Sequence, residues 1–302
     1  MIGVDWGTTS LRAYRLRGRE VLDRVALPLG IFSVAAGGFG SVLHGAVGAW
    51  LADGERRVLL SGMVGSRQGW VEAPYLPCPA AVADLARALV PVPFGAAEVL
   101  LAPGLSAADP DGVPEVMRGE EVQIVGALGP AGGDMVACLP GSHSKWVRVA
   151  GGQVEGFSTH LTGEAFAALR GHTILGRLMQ PDAPPDPEAF RRGVVRSGEP
   201  GGLLHHLFGV RTLGLFARLE EAAAASYLSG LLIGHEVRAA TPSHPAPPVV
   251  LPIVLIGDGA LCGLYAQAIG HCGGSARVAE ADAAAQGLAL IGERAAWTSA
   301  PF

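Results

Sequence analysis

The amino-acid sequence predicts an α/β protein built from two related halves. Strand-like and helix-like patterns alternate along the chain, and a strand–turn–strand unit at the start recurs 134 positions further on. Alternation of strands and helices predicts a mixed sheet covered by helices. A structural unit that is used twice indicates a duplicated architecture.

The two copies of the repeated unit differ little in layout. In each copy an apolar strand, 2–5 or 135–139, enters a Gly/Ser/Thr turn and a second strand follows. The turn residues are Gly7, Thr8, Thr9 and Ser10 in the first copy and Gly141, Ser142, His143 and Ser144 in the second. Their backbone N–H and hydroxyl groups suit the polyphosphate of a nucleotide. The alternative is two ordinary hairpins, in which Gly and Ser are common.

Composition limits the class of protein. The chain has 302 residues, 49% of them apolar and 16% charged, which favours two domains with large cores. A net charge of −5 offers no basic surface for nucleic acid. The uncharged stretch 239–257 is interrupted by prolines, so we expect no membrane span. The apolar content is compatible with a homodimer.

Four cysteines, Cys78, Cys138, Cys262 and Cys272, are scattered along the chain without a C-x-x-C spacing. This pattern disfavours a disulfide scaffold or a zinc site, and reduced thiols are typical of the cytoplasm. The first residues form a strand without a basic, apolar leader. We therefore expect a cytoplasmic protein.

In the first half, three strands predict an antiparallel meander that is followed by alternating helices and strands. The predicted strands are 2–5, 10–16, 20–27, 57–60 and 98–101, and the predicted helices are 40–51, 80–89 and one that begins at 120. A glycine-rich stretch between 128 and 134 predicts the domain boundary, which divides the chain into 1–130 and 131–302.

The second half repeats this plan. The predicted strands are 135–139, 145–149, 153–159 and 249–256, and the predicted helices are 163–171, 187–197, 201–207, 216–221, 223–239, 261–269 and a closing helix 281–294. The proline-rich stretches 181–187 and 242–252 are typical of surface connections.

The order of these parts resembles the actin-like ATPase and sugar-kinase superfamily, and within it the 2-dehydro-3-deoxygalactonokinases. The matching segments are 5–14 (DWGTTSLRAY), 61–70 (SGMVGSRQGW), 117–123 (MRGEEVQ), 139–146 (LPGSHSKW) and 161–164 (LTGE). The similarity is looser from 228–236 (LSGLLIGHE) onward. Ser142 stands where the family has Thr, and the hydroxyl is retained.

The resemblance implies two ribonuclease-H-like domains with ATP and Mg²⁺ in the cleft between them. It also implies phosphoryl transfer from ATP to the 6-hydroxyl of 2-dehydro-3-deoxygalactonate, in galactose or galactonate breakdown. The alternatives are a kinase of this fold that acts on another sugar acid, a hydrolase that transfers phosphate to water, and a non-catalytic, nucleotide-switched regulator. The epimer preference is left open.

The turn 7–10 is called the first loop and the turn 141–144 the second loop. The predicted metal ligand stands just before the first loop. Asp5 follows a strand beside Gly7 and is placed to hold Mg²⁺, which retains much of its hydration shell in proteins. Asp5 as a capping residue of the turn is the alternative. In the second loop, Lys145 is a candidate charge partner for phosphate, unless its strand directs it into solvent.

Two adjacent acids, Glu120 and Glu121, begin a helix after Gly119. Superfamily kinases commonly carry their catalytic carboxylate in such a place, where it accepts a proton from the attacking hydroxyl. Acids at a helix N-terminus also complement the helix dipole. Glu120 is the slightly preferred base, and the choice between the two stays open.

Predicted substrate contacts come from a glycine-rich segment after a strand and from two later positions. They are Gly62, Met63, Ser66, Arg67, Gln68, Arg118, Thr162 and Glu164. The guanidinium of Arg67 suits a substrate carboxylate, although an ordinary surface arginine is the alternative. Arg118 either steers an anionic substrate or pairs with one of the acids, and Thr162 serves equally well as a helix N-cap.

The late glycine turn that includes Gly257 and Gly259 resembles the adenosine side of these kinases. Glycine there would let a purine lie against the backbone.

Overall fold

A computed structural model describes residues 1–241, 252–280 and 282–298 of the chain. These residues form two compact units. Unit 1 takes Met1–Met135, Val147–Phe157 and the residues from Glu280 onward, and unit 2 takes Val136–Trp146 and those within Ser158–Ala279. No helix in this part of the chain is long and apolar enough to cross a membrane.

The strands are β1 (Ile2–Trp6), β2 (Leu11–Arg17), β3 (Glu20–Leu27), β4 (Arg57–Ser61), β5 (Tyr75–Pro77), β6 (Ala80–Ala81), β7 (Val90–Val92), β8 (Glu98–Leu101), β9 (Gly104–Ala108), β10 (Pro114–Met117), β11 (Met135–Leu139), β12 (Ser144–Ala150), β13 (Gln153–His160), β14 (Ile253–Leu255) and β15 (Ala276–Val278). The α-helices are α1 (Phe39–Ala52), α2 (Val82–Arg87), α3 (Glu120–Leu128), α4 (Thr162–His172), α5 (Pro187–Arg196), α6 (Gly202–Leu215), α7 (Ala224–Ala240), α8 (Gly259–His271) and α9 (Ala283–Gly292).

The main sheet of unit 1 has the strand order β3-β2-β1-β4-β8-β7. β1 pairs antiparallel with β2 but parallel with β4, and β4 pairs parallel with β8. Since β1 and β4 are parallel, their carboxyl ends lie at the same edge of the sheet, where Asp5 is in register with Ser61. The first loop and the segment after β4 therefore begin side by side.

Burial of apolar side chains explains this sheet. Ile2, Val4 and Trp6 on β1 and Leu60 on β4 are inaccessible to solvent and pack with the apolar face of α1. Alternate residues of a strand share one face, so β1 commits three side chains to this core. Complete burial of a large apolar side chain stabilises the fold by about 1.5–3 kcal/mol.

The closing helix belongs to unit 1. A Cβ added to Gly126 on α3 would lie 1.9 Å from the carbonyl oxygen of Ala283, and one added to Gly287 on α9 would lie 1.8 Å from that of Val122. Only glycine permits this close approach of the two helix backbones. The prediction that placed segment 281–294 in the C-terminal domain therefore differs from the structure, because this packing connects residues far apart in sequence. Residue 281 lies outside the described residues.

In unit 2 the strand order is β15-β14-β11-β12-β13, with β12 and β13 represented by residues 144–146 and 158–160. β14 pairs parallel with both β11 and β15. Unit 1 has the corresponding order β8-β4-β1-β2-β3, so the repeated sequence unit occupies the same place in each series of strands. Trp146, Phe190 and Tyr265 are among the large buried side chains of the unit 2 core.

Several element predictions need correction. The predicted helix 216–221 is wrong, because α6 runs on to Leu215 and Ala217 has a positive φ of 53°. The predicted helix 80–89 is shorter, since residues 80–81 form β6 and only 82–87 are helical. Of the predicted strand 249–256, residues 253–255 form β14 while 249–251 lie outside the described residues, as do 242–251 of the proline-rich stretch.

Candidate active site

Three backbone segments meet at the carboxyl end of β1 in unit 1. A Cβ added to Gly62, which has a φ of 94°, would lie 2.7 Å from the carbonyl oxygen of Trp6 and 3.3 Å from Oδ1 of Asp5. One added to Gly119, with a φ of 104°, would lie 3.0 Å from the Cα of Gly62. Glycine tolerates both this conformation and this contact. The structure therefore brings together Asp5, the segment after β4 and the start of α3.

The carboxyl group of Asp5 has a raised pKa. Burial raises its pKa to about 6, the neighbouring Arg12 opposes this rise, and the charge of Glu120 adds to it. Asp5 and Glu120 therefore influence each other within one site. Sequence reasoning missed Arg12, although its register opposite Asp5 on β2 follows from the predicted meander.

The backbone of the first loop contacts residues 30–31, a segment that the sequence analysis did not single out. The N–H of Gly7 donates to the carbonyl oxygen of Ser10 at 2.9 Å, and the N–H of Ile31 donates to that of Gly7 at 3.0 Å. A Cβ added to Gly30 would lie 2.0 Å from the carbonyl oxygen of Thr8. Thr9 is exposed, while Thr8 and Ser10 are half-buried.

The two acids at the start of α3 have different environments. Glu121 is inaccessible to solvent, and both its carboxyl oxygens accept the N–H of Gly119, at 2.9 and 2.7 Å. Burial, followed by the charge of Glu120, raises the pKa of Glu121 well above its usual value. Glu120 is half-buried, and its Oε2 accepts the N–H of Arg118 at 2.9 Å. Glu121 is thus directed into the fold, and Glu120 is the more accessible acid.

We expect Glu121→Gln to change how stability depends on pH. Well below pH 4.5, the ordinary pKa of Glu, the native and unfolded states both hold the proton. As the pH rises above that value, the unfolded chain loses the proton while the native state keeps it. The wild type therefore loses about 1.4 kcal/mol of unfolding free energy per pH unit until the raised native pKa is reached. The Gln variant should lack this loss, so its stability relative to wild type should rise with pH.

Urea unfolding of both proteins between pH 4.5 and 8 measures this difference. Glu199→Gln, which changes an exposed acid, is the matched control and should follow the wild-type profile. Parallel profiles for wild type and Glu121→Gln would show that Glu121 does not retain its proton in the native state.

Arg118 lies in the interior of unit 1. Its side chain stacks 4.3 Å above the ring of Tyr75, and its Nη2 donates to the carbonyl oxygen of Ala73 at 2.8 Å. The residue is only 8% exposed, and its Nε and Nη1 have no hydrogen-bond partner among the described residues. A Cβ added to Gly65 would lie 3.1 Å from Nη1. Buried donors of a guanidinium normally have acceptors, and these two donors are themselves enclosed by protein.

The other predicted substrate residues of this segment have different surroundings. The Oγ of Ser66 is buried, with no partner among the described residues. Met63 packs against the apolar core. Arg67 is 87% exposed, with its Nε 3.3 Å from Oε1 of Glu72, and Gln68 is exposed. Ser66 therefore directly follows Gly65, which lies close to Arg118, whereas Arg67 and Gln68 lie at the surface.

In unit 2 the second loop packs against the start of α4. A Cβ added to Gly163 would lie 2.5 Å from the carbonyl oxygen of Gly141, and the N–H of Glu164 donates to the carbonyl oxygen of Ser142 at 3.1 Å. Nε2 of His143 is within hydrogen-bond distance of Oε2 of Glu164. Two residues predicted for different ligands, His143 and Glu164, thus form a pair.

The start of α4 excludes one alternative. Leu161 is the N-cap residue and makes no side-chain cap hydrogen bond, while Thr162 is the first helical residue. The interpretation of Thr162 as the N-cap is therefore wrong.

The late glycine turn also borders the second loop. A Cβ added to Gly257, with a φ of 141°, would lie 3.7 Å from the carbonyl oxygen of Pro140. Gly259 is the first residue of α8, where Oδ1 of Asp258 accepts the N–H of Leu261 at 3.0 Å. The second loop, the start of α4 and this turn therefore form one cluster within unit 2.

Two residues at the end of the second loop are buried. Lys145 is buried and its Nζ donates to Oγ1 of Thr159 at 2.9 Å, so the alternative that directs it into solvent is wrong. Ser144 is inaccessible, and its hydroxyl lies 2.8 Å from that of Tyr265. The hydroxyl of Ser144 is thus engaged inside unit 2 rather than exposed to a ligand.

Residues 5–291 match the family model described as 2-keto-3-deoxy-galactonokinase. The chain belongs to this family. A family relative from Rhizobium meliloti (strain 1021), called a probable 2-dehydro-3-deoxygalactonokinase, is 37% identical over 299 residues, which cover 97% of this chain and 96% of the relative. The 2-dehydro-3-deoxygalactonokinase of Escherichia coli (strain K12) is 34% identical over 236 residues, 78% of each chain.

A crystal structure from Sinorhizobium meliloti, provisionally given the same kinase name, superposes with a TM-score of 0.88. It is 36% identical and the match covers 97% of this chain and 98% of that one. The predicted family, and with it the sugar-acid kinase class of enzyme, is confirmed.

Proposed function

We propose that this protein transfers the γ-phosphoryl group of ATP to the 6-hydroxyl of 2-dehydro-3-deoxygalactonate. The observation that carries this proposal is the convergence of Asp5, Gly62 and the start of α3 in a chain of the galactonokinase family. Phosphoryl transfer needs alignment and charge neutralisation more than covalent help. Two interacting carboxyl groups beside glycine-rich backbone supply a base and a cation site for that purpose.

Glu120 is the proposed general base. It is half-buried and its charge raises the pKa of Asp5. Glu121, in contrast, is enclosed and accepts the N–H of Gly119. A base must reach the hydroxyl proton of the substrate, and the enclosed acid lacks that access. Glu120 therefore accepts the proton of the attacking hydroxyl, and Glu121 holds the turn that presents Glu120.

Mg²⁺ is the proposed metal, with Asp5 as its protein ligand. The donor set is compatible with this ion, because Mg²⁺ is usually held by one or two carboxylates together with substrate phosphates and water. Among the described residues no group of three or more His, Cys, Asp or Glu side chains forms a metal cage. When bound, the ion would neutralise phosphate charge, and the partly exposed Asp5 at the end of β1 would hold it.

The phosphates are assigned to the backbone of the two loops, residues 7–10 and 141–143, and the purine to the turn at Gly257 and Gly259. The matching strand orders of the two units support the proposal of a duplicated ribonuclease-H-like fold. Lys145 remains a candidate charge partner. The interdomain cleft and the homodimer stay predictions. The free cysteines are compatible with the proposed cytoplasmic location.

The assay that tests this function is coupled detection of ADP release over a panel of sugar acids, with Mg²⁺ present. We expect release that depends on 2-dehydro-3-deoxygalactonate, and the panel includes its gluco epimer because the epimer preference is open. ADP release without any sugar acid would indicate a hydrolase, and release with a different acid would move the substrate assignment.

The substrate carboxylate gives a second test, because two arginines compete for it. Arg67→Ala and Arg118→Ala should raise KM for the sugar acid, and not KM for ATP, if the changed residue binds the carboxylate. Loss of a charge-assisted hydrogen-bond partner costs about 1.5–3 kcal/mol, so a rise of roughly tenfold to a few hundredfold is expected. Arg67 was the choice from sequence and is exposed, whereas the unpaired donors of Arg118 are enclosed by protein, so the two variants are compared directly.

Steady-state kinetics of both variants, with Arg17→Ala as an exposed control, decides between them. A rise in KM for ATP alone would assign the residue to the nucleotide. Because Arg118 also contacts Tyr75 and Ala73, its variant should be compared with Arg118→Lys, which keeps the charge but loses the fork geometry.

A further inference from the structure

The strand that follows the second loop is tied to two helices of unit 2 by buried hydrogen bonds. Side chains at alternate positions of a strand share one face. Ser144 and Trp146 on β12 both contact the core side, where α7 and α8 lie, while Lys145 between them contacts Thr159 on β13. The first three residues of the strand are therefore each held by a polar contact.

The contacts on the core side form one continuous chain that ends on a single carboxyl group. The hydroxyl of Ser144 lies 2.8 Å from that of Tyr265, which donates to Oε2 of Glu236 at 2.6 Å. The indole Nε1 of Trp146 donates to Oε1 of Glu236 at 2.8 Å. All four residues are buried. Glu236 lies in the segment 228–236 that the sequence comparison matched only loosely, and no role has been assigned above to it or to Tyr265.

The direction of each hydrogen bond follows from the chemistry of the groups. An indole N–H only donates, and a carboxylate only accepts. The single hydroxyl proton of Tyr265 is used on Glu236, so its oxygen accepts the proton of Ser144. The hydroxyl of Ser144 also lies 3.5 Å from the carbonyl oxygen of Gly141, within the second loop itself. His143 directly precedes Ser144, so the hydrogen bond of Ser144 holds the chain where the loop backbone 141–143 ends.

Stability alone does not account for the arrangement. Burying a carboxyl group is costly, and an apolar replacement of a buried charged network is often as stable. A fully satisfied polar network does, however, select one conformation of the segments that it joins. Here the segment joined to the helices is the end of the loop assigned to the phosphates of ATP.

We infer that Glu236 and Tyr265 are positioning residues for the second loop, holding Ser144 so that the backbone of residues 141–143 keeps its phosphate-binding conformation. This inference rests on the proposed function of that loop. Neither residue touches ATP, and both act through Ser144.

Tyr265→Phe tests the inference, because it removes one hydroxyl and keeps the ring in the core. We expect KM for ATP to rise roughly three- to thirtyfold, the range for losing one or two buried hydrogen bonds, while KM for the sugar acid stays within twofold of wild type. Tyr227→Phe is the matched control, since Tyr227 is a buried tyrosine on α7 that packs in a different core cluster. It should leave both KM values unchanged.

Ser144→Ala removes the other hydroxyl of the Ser144–Tyr265 hydrogen bond. It is the alternative test if Tyr265→Phe fails to fold. It should raise KM for ATP by a similar factor, and the double variant should be no worse than the more affected single variant, because both remove the same interaction. A large effect of Ser144→Ala beside a folded, unaffected Tyr265→Phe would overturn the inference, since the hydroxyl of Ser144 would then bind ATP directly.

Hydrogen exchange of peptides that span residues 139–146 separates this inference from the proposed function. In Tyr265→Phe these amides should exchange faster than in wild type and in Tyr227→Phe. Faster exchange with an unchanged KM for ATP would support the anchor but overturn the assignment of ATP to this loop. Unchanged exchange together with an unchanged KM for ATP would overturn the inference itself.

Discussion

Glu120→Gln should lower kcat by a factor on the order of 10²–10⁴, the usual contribution of a positioned general base. Gln has nearly the same shape as Glu but cannot accept the proton of the attacking hydroxyl. The half-buried position of Glu120 and its electrostatic coupling to Asp5 place it among the groups of the proposed site. The measurement is kcat at saturating ATP, Mg²⁺ and sugar acid.

The adjacent acid provides the comparison for this variant. Glu121→Gln should change kcat by less than tenfold, because the amide oxygen still accepts the N–H of Gly119. Circular dichroism and thermal unfolding should confirm that both variants fold. Small and equal kinetic losses in the two variants would place the base elsewhere, and a larger loss in Glu121→Gln would reverse the assignment.

Asp5→Asn should lower kcat by a factor on the order of 10²–10³, comparable to the loss of one charge-stabilising group in other active sites. The amide is a neutral and weaker ligand for Mg²⁺, so alignment of the phosphates should suffer while the fold is retained. Asp53→Asn is the control, since it removes an exposed carboxylate of unit 1 that pairs with Arg15. Wild-type kcat in a folded Asp5→Asn protein would refute the role of Asp5.

The pKa of Asp5 adds a test by pH. Only the ionised carboxylate is a good metal ligand, and this carboxyl group takes up its proton as the pH falls through about 6 in the free protein. The ratio kcat/KM for ATP, which reports on the free enzyme, should therefore decline below that pH in wild type. The decline at about pH 6 that belongs to Asp5 should be absent in the residual activity of Asp5→Asn.

Much of the fold was predictable because its signals are local. The predicted strands at 20–27, 98–101 and 135–139 agree with β3, β8 and β11, since alternation and short apolar runs are properties of neighbouring residues. The short strands β5, β9 and β10 were not predicted. They are only three to five residues long, too short for a clear alternation, and they form a separate small sheet by pairing with one another.

The candidate site was predictable as a set of segments but not as a set of contacts. Glycines at 62 and 119 mark turns in the sequence, yet their approach to each other and to Asp5 depends on the parallel pairing of β1 with β4. The different environments of Glu120 and Glu121 likewise follow from how α3 packs, because adjacent residues of a helix point in different directions.

The sequence by itself determined the family, the α/β class, the two Gly/Ser/Thr loops and the acidic helix start, because these depend on residue type and short spacing. Tertiary structure decided the rest. It placed α9 in unit 1 and joined Ser144 to Glu236 through Tyr265. It also buried the side chains of Glu121 and Arg118 and left that of Arg67 exposed. Each of these outcomes depends on burial or on contacts between residues far apart in the chain, and neither follows from local pattern.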